Sequence, residues 1–324
     1  MLINEGTYWR LTSPFEDEVA AWMSVSRTKD RALVSVVRLY AEANAAACYV
    51  KLKGLESDAV YIEENTGRQY TGAALMNAGI PLPFAVKEYE AYQFSFIRLD
   101  EAKKLYDEIK KVCGNLKLNE ADTADSASDN RIVISIYGGS GSGKTTIAAA
   151  LQQYFLNDNT ACYVLTGDNY PHRIPMRNDE ERLNVYNESG EDGLRGYLGT
   201  PKEIDFDRIN KELSEFKAGN IIEIKHMGRE DGDISYDETD FTGIKVLILE
   251  WTHGGSEYLK GVDIPVFLES SPEETKARRI KRGRDENAAS PFICRVVELE
   301  QEKLDLQGKN ARIVVGKDGK VYEQ

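Results

Sequence analysis

Cysteine and histidine are scarce in this sequence. The four cysteines, Cys48, Cys113, Cys162 and Cys294, stand far apart and form no paired spacing. That argues against a disulfide framework or a zinc knuckle and for free thiols in a reducing compartment. The three histidines, His172, His226 and His253, are too scattered for a metal-binding motif. Long apolar runs are also missing, with none approaching the ~18 residues a membrane span needs. The opening MLINEGTYWR lacks the basic-then-apolar pattern of a secretory leader. The expectation is a cytoplasmic protein with no membrane partner. Positive charge is the last shortage: 41 Lys and Arg against 54 Asp and Glu leave a net charge of −13. This argues against a nucleic-acid backbone as main partner, and any anionic ligand must meet positive charge gathered locally.

What is present divides into two textures. At 324 residues the chain has room for two domains. Residues 1–99 read as short strands and turns: ALVSVVRLYAE, YVKLKGL and AYQFSFIRL are rich in β-branched and aromatic residues, and Val50 to Lys53 alternate apolar and polar. The pattern predicts a small all-β antiparallel sandwich. Residues 100–130 hold a short helix, EAKKLYDEIKKV, with Leu105 and Ile109 on one face. After it comes CGNLKLNEADTADSASDN, read as an acidic solvated linker. From residue 131 to 324 apolar strands (RIVISIY, ACYVLT, NIIEIKHM, GIKVLILE, IPVFLES) alternate with long polar or helical segments. An α/β domain with a parallel sheet and flanking helices follows from that alternation.

The chemistry-bearing motifs lie in the second domain. Gly138-x-x-x-x-Gly143-Lys144-Thr145, between an apolar strand and a helical pattern, fits a phosphate-binding loop. Gly139, Ser140, Gly141, Ser142 and Gly143 let backbone N–H groups wrap the phosphates at a helix N-terminus. Lys144 reaches the β- and γ-phosphates, Thr145 offers a hydroxyl to Mg²⁺, and Thr146 follows on the same turn. After the second strand, GDNYPHRIPMRND puts Asp168 at a strand end, on the rim where open α/β sheets bind ligands. There it is placed to accept a proton from an acceptor hydroxyl, or simply to cap a helix or turn. Tyr170, His172, Arg173 and Arg177 follow as acceptor contacts or solvated loop residues. Glu250 closes the strand of LILEWTHGGSEYL as a Mg²⁺-holding acid, with Trp251 and His253 beside it and core packing the alternative for Trp251. His226, Met227 and Arg229, after NIIEIKHM, are pocket residues by position. EETKARRIKRGRDE gathers Arg278, Arg279, Arg282 and Arg284. It reads as a lid helix whose guanidiniums stabilise a transferring phosphoryl group, or as a solvated helix face. Arg284 is the catalytic candidate and Arg282 a nucleotide contact.

Together these motifs resemble the uridine-kinase/phosphoribulokinase branch of P-loop kinases. TPKEIDFDRINKELSEF adds a Pro-x-x-x-Asp-Phe segment leading into a helix, as in that family. The resemblance runs from Arg131 to about Arg284 and implies ATP as donor, Mg²⁺ as cofactor and Asp168 as catalytic base. Two departures weigh against a nucleoside acceptor. Gly199 and Thr200 stand where uridine kinases carry a ribose-binding acid before the proline, and the lid is shorter.

In the first domain, SPFEDEVAAWMSVSRTKDRALVSVVRLYAEANA and LKGLESDAVYIEENTGRQYTGAALMNAGIPLP resemble the C-terminal β-sandwich of bacterial α-galactosidases. Joined to a small kinase, it is similar to the bifunctional α-galactosidase/sucrose kinase family. That resemblance implies phosphorylation of sucrose on its glucose 6-hydroxyl to give sucrose 6-phosphate, and a homo-oligomer formed through the galactosidase part. The galactosidase reaction itself requires two carboxylates on a large barrel, which about 99 residues of sandwich do not supply. The remaining readings are a nucleoside or small-alcohol kinase and a nucleotide-binding regulatory module.

Overall fold

Alternating burial along its strands organises the first part of the chain. The computed structural model describes residues 5–40, 47–83, 89–115, 131–230, 232–271, 275 and 290–324. The chain separates into two units, Met1–Lys103 and Lys104–Gln324.

In the first unit the strands are β1 (Thr7–Arg10), β2 (Val19–Val25), β3 (Arg31–Arg38), β4 (Tyr49–Val50), β5 (Val60–Glu63) and β6 (Gln69–Thr71). Helix α1 (Gly72–Asn77), β7 (Ile80–Pro81) and β8 (Ala91–Arg98) complete it. A six-stranded antiparallel sheet runs in the order β1-β2-β3-β8-β5-β6, and β4 pairs with β7 in a second, two-stranded sheet. The two-residue period of a strand puts Ala32, Val34 and Val36 of β3 on one buried face. They share a core with Met23, Phe96, Val50, Leu52, Leu75 and Ile80. The alternation from Val50 to Lys53 predicts a longer strand than forms. The Leu52 N–H donates to the carbonyl of Leu75 in α1 and leaves the ladder, while Val50 and Leu52 still face the core.

The second unit contains most of helix α2 (Asp100–Asn115). It continues through β9 (Ile132–Gly138), α3 (Lys144–Asn157), β10 (Cys162–Thr166), α4 (Pro175–Tyr197), α5 (Phe206–Ala218), β11 (Ile221–His226), β12 (Ser235–Asp240), β13 (Val246–Glu250) and β14 (Ile264–Leu268). Helix α6 (Pro291–Gln307), β15 (Ile313–Val315) and β16 (Val321–Glu323) close it. The main sheet has the order β10-β13-β9-β14-β15-β16, parallel except for the edge strand β16. Every residue of β9 is buried, as for a parallel strand covered on both faces. Asp205 caps α5 by accepting the Arg208 N–H, and Gly219 ends the helix in the left-handed conformation. β11 and β12 form a separate antiparallel hairpin.

Helix α2 is longer than the sequence pattern predicts. Leu105, Ile109 and Val112 are fully buried, and the Tyr106 ring packs on Tyr154 and Phe155 of α3 at centroid distances of 5.4 and 5.1 Å. The acidic stretch at 116–130 lies outside the described residues. Among the described residues no helix is long and apolar enough to cross a membrane.

Candidate active site

The phosphate loop joins the end of central strand β9 to the start of α3. Gly141 and Gly143 have φ of 87° and 100°, a backbone region L side chains rarely adopt, and Gly143 is the residue from which α3 begins. The helix therefore opens with no capping side chain in the way, leaving its N-terminal N–H groups and partial positive charge for an anion. Lys144 lies over the loop, its Nζ donating to the carbonyls of Gly138 at 2.9 Å and Gly139 at 3.0 Å. The hydroxyl of Thr145 donates to Oε2 of Glu250 at 3.0 Å.

Sheet register brings the two acids together. β10 and β13 are adjacent and parallel with Thr166 opposite Glu250, so Asp168, two residues past Thr166, shares a rim with Glu250. Glu250 is buried; burial and then the charge of Asp168 raise its carboxyl above the usual range, against the Thr145 hydrogen bond and the Lys144 charge. Asp168 is exposed, in the single 3₁₀ turn Gly167–Asn169. Asn169 steadies that turn, its Oδ1 accepting the Met227 N–H at 3.0 Å beyond the end of β11. A buried acid bonded to the loop threonine suits a cation; an exposed acid beside it suits an acceptor proton. The oxygen donors at Thr145 and Glu250 are of the hard kind Mg²⁺ takes, and their chemistry fits that ion.

Two expected acceptor contacts belong instead to the core. Tyr170 is fully buried, and its hydroxyl donates to buried Glu212. Trp251 is also buried, packed on Phe206 and lying so close under Gly167 that any side chain there would overlap its ring. An apolar ring after a buried strand contributes more by shedding water than by waiting on a rim.

The other expected contacts are spread about the same end of the sheet. His172 is exposed, with Nε2 3.0 Å from the Pro201 carbonyl. Arg173 reaches the Tyr197 hydroxyl at 3.4 Å and Glu181 at 3.5 Å. Arg177 pairs with Glu180 on the exposed face of α4. His226 lies 3.3 Å from Asp237 across the β11–β12 hairpin, and Arg229 is exposed beyond it. His253 is partly buried; desolvation pushes its imidazole down to about 4, with Glu203 and Asp168 pulling the other way. Arg278, Arg279, Arg282 and Arg284 lie outside the described residues.

Sequence reasoning missed an ionic cluster beside this site. Arg182 of α4 donates through Nε to Glu203 at 2.6 Å and through Nη2 to Glu300 of α6 at 3.0 Å. Glu203 also accepts from the Asn178 amide at 2.9 Å and from the Gly199 N–H at 2.6 Å. Against desolvation, the Arg182 charge and these hydrogen bonds hold Glu203 below the usual carboxylate range. In Glu300 desolvation wins, raising the carboxyl despite Arg182. Arg182 and Glu300 are 118 positions apart, and no spacing marks them as partners.

A second feature flanks the loop. A cavity of about 460 Å³ is lined by Glu269, Ser270, Ser271, Gln301, Lys309 and Lys317, among others. Its wall meets the phosphate loop, since a Cβ on Gly139 would lie 2.8 Å from Gln301 Oε1 and 3.1 Å from Ser270 Oγ. The Ser270 hydroxyl is buried with no hydrogen-bond partner among the described residues.

A parallel sheet with a phosphate loop on its central strand, a buried acid on the loop threonine and an exposed acid on the same rim defines the class: a P-loop kinase domain. The family is then explicit. The model of the phosphoribulokinase/uridine kinase family matches residues 133–297, and the chain belongs to that family. The model of the glycosyl hydrolase family 36 C-terminal domain matches residues 19–96. The bifunctional alpha-galactosidase/sucrose kinase AgaSK of Mediterraneibacter gnavus is 69% identical over all 324 residues, which span 34% of that relative's length. A uridine kinase of Brevibacillus brevis is 30% identical over 168 residues, 50% of this chain and 70% of its own. Among solved structures, the galactosidase domain of AgaSK aligns with 30% of this chain and 14% of its own at 71% identity, with a TM-score of 0.30.

Proposed function

We propose that the second unit transfers the γ-phosphoryl group of ATP to the glucose 6-hydroxyl of sucrose. The observation that carries the chemistry is the Thr145–Glu250 hydrogen bond beside Lys144, with exposed Asp168 on the same rim. The full-length likeness to a protein named for sucrose kinase activity supports the acceptor.

In this reading the loop N–H groups from Gly139 to Thr146 and the start of α3 bind the phosphates. The Lys144 ammonium turns from the loop carbonyls to the β- and γ-oxygens. Thr145 and Glu250 hold Mg²⁺, which when bound neutralises charge on the β- and γ-phosphates. Asp168 orients the sugar hydroxyl and takes its proton as the oxygen attacks phosphorus. Arg282 and Arg284, outside the described residues, add guanidinium charge where the transferring group spreads its own. His172, Arg173, His226, Arg229 and His253 contribute polar contacts to the sugar. The nucleotide base enters the cavity between Ser270, Gln301 and Lys317, where the buried Ser270 hydroxyl gains a partner.

The product tests this. Protein, ATP, Mg²⁺ and sucrose are incubated and the sugar is examined by phosphorus and carbon NMR. A phosphomonoester on C6 of the glucose ring is expected. A phosphate at any other position, or none, overturns the acceptor assignment.

A further inference from the structure

The turn before Pro201 carries Gly199 and Thr200, and the structure shows what fills the space beside Gly199. Gly199 has φ of +64°, and a Cβ built on it would lie 2.7 Å from His253 Nδ1 and 2.9 Å from Cε1. The imidazole therefore occupies the volume a side chain at 199 would need. On its other side the ring meets Trp251 edge to face, at 5.4 Å between centroids and 88° between planes. The turn is itself fixed: the Gly199 N–H donates to Glu203 at 2.6 Å, and Arg182 and Asn178 hold the same carboxylate. The same Trp251 ring lies against Gly167, the residue before Asp168, so His253 and Asp168 share this end of the site.

We propose that Gly199, fixed by Glu203 and Arg182, seats His253 on the acceptor side of Asp168. The inference rests on the sugar-kinase reading and deepens it. His253 becomes an acceptor contact offering one donor and one acceptor without charge. Glu203, Arg182 and Gly199 are positioning residues that act through it.

The test is a double-mutant cycle on the full chain with Gly199→Ala, His253→Ala and the pair. Gly199→Ala crowds the ring, so KM for sucrose rises about tenfold while KM for ATP stays within about twofold. In the His253→Ala background the added methyl meets no ring and only the backbone strain of an Ala at φ +64° remains, so Gly199→Ala raises KM for sucrose several-fold less than in the wild type. An unchanged sucrose KM in Gly199→Ala, or the same loss in both backgrounds, overturns the seat.

A readout independent of turnover separates this from failure of the sugar-kinase reading. Three histidines give three imidazole Cε1–H signals, and the one lost in His253→Ala assigns His253. In Gly199→Ala that signal shifts while that of His226, on the β11–β12 hairpin, stays in place, which also shows that the variant is folded. If the wild type leaves sucrose untouched, the acceptor reading falls and the signal alone decides the seat. An unmoved His253 signal overturns it.

Discussion

Asp168 and Glu250 are the same kind of group in two surroundings, and the surroundings assign their work. Glu250 is buried against Thr145, whereas Asp168 stands exposed past the end of its strand. Asp168→Asn keeps the shape and removes the proposed base. kcat should fall by roughly 10²–10⁴, and ATP affinity measured by calorimetry should stay within about twofold. His253 makes a second prediction, in pH. Its folded value of about 4 lies below the ~6.5 of a free imidazole, so between these values the unfolded chain binds more protons. Stability contributed by the neutral ring is complete above ~6.5 and is lost as pH falls toward 4. Glu203, with its lowered value, acts in the same direction at more acid pH, while the raised Glu250 and Glu300 act oppositely. His253→Gln isolates the imidazole: its melting temperature should fall less than that of the wild type between pH 7 and 4.5. Parallel curves would contradict a partly buried ring held neutral.

At the scale of elements, the sequence was most readable where one force dominates. β9 is buried throughout and apolar but for Ser135 because both its faces are covered, and the glycine spacing of the loop after it has a single physical use. β12, Ser-Tyr-Asp-Glu-Thr-Asp, was not legible because an exposed hairpin strand has no apolar face to alternate. Tyr170 and Trp251 were misread for the converse reason: polar-tipped aromatics beside a catalytic loop suit a rim or a core equally. In Tyr170 the Glu212 contact satisfies the buried hydroxyl. Helix α2 was legible as a helix through Leu105 and Ile109, yet the sequence did not say what that face covers. Because Tyr106 of this helix stacks on α3, α2 is part of the kinase unit's packing. Ile109→Ala should destabilise the unit by about 2–5 kcal/mol in urea unfolding followed by Trp251 fluorescence, with Trp9 and Trp22 replaced by Phe. A loss below about 1 kcal/mol would contradict a structural role for α2.

At the scale of the whole molecule, the acidic net charge left one consequence to check: phosphate must meet local positive charge. Lys144 and the N-terminus of α3 supply it among the described residues. Binding there stabilises the folded second unit by mass action. ATP at a hundred times its Kd should raise the unfolding free energy reported by Trp251 by about 2.7 kcal/mol. Lys144→Ala should abolish most of that gain. The sequence changes texture near residue 131, whereas the contact boundary falls at residues 103 and 104, inside α2. The proposed acceptor rests on resemblance, and Arg182, Glu203 and Glu300, which come from distant segments, carry no motif. The central claim is therefore tested most directly by ADP release with saturating ATP and Mg²⁺, comparing sucrose, glucose, fructose, uridine and no acceptor. Turnover that depends on sucrose and exceeds every other condition is the predicted result; turnover that follows uridine, or that ignores the acceptor, would contradict it.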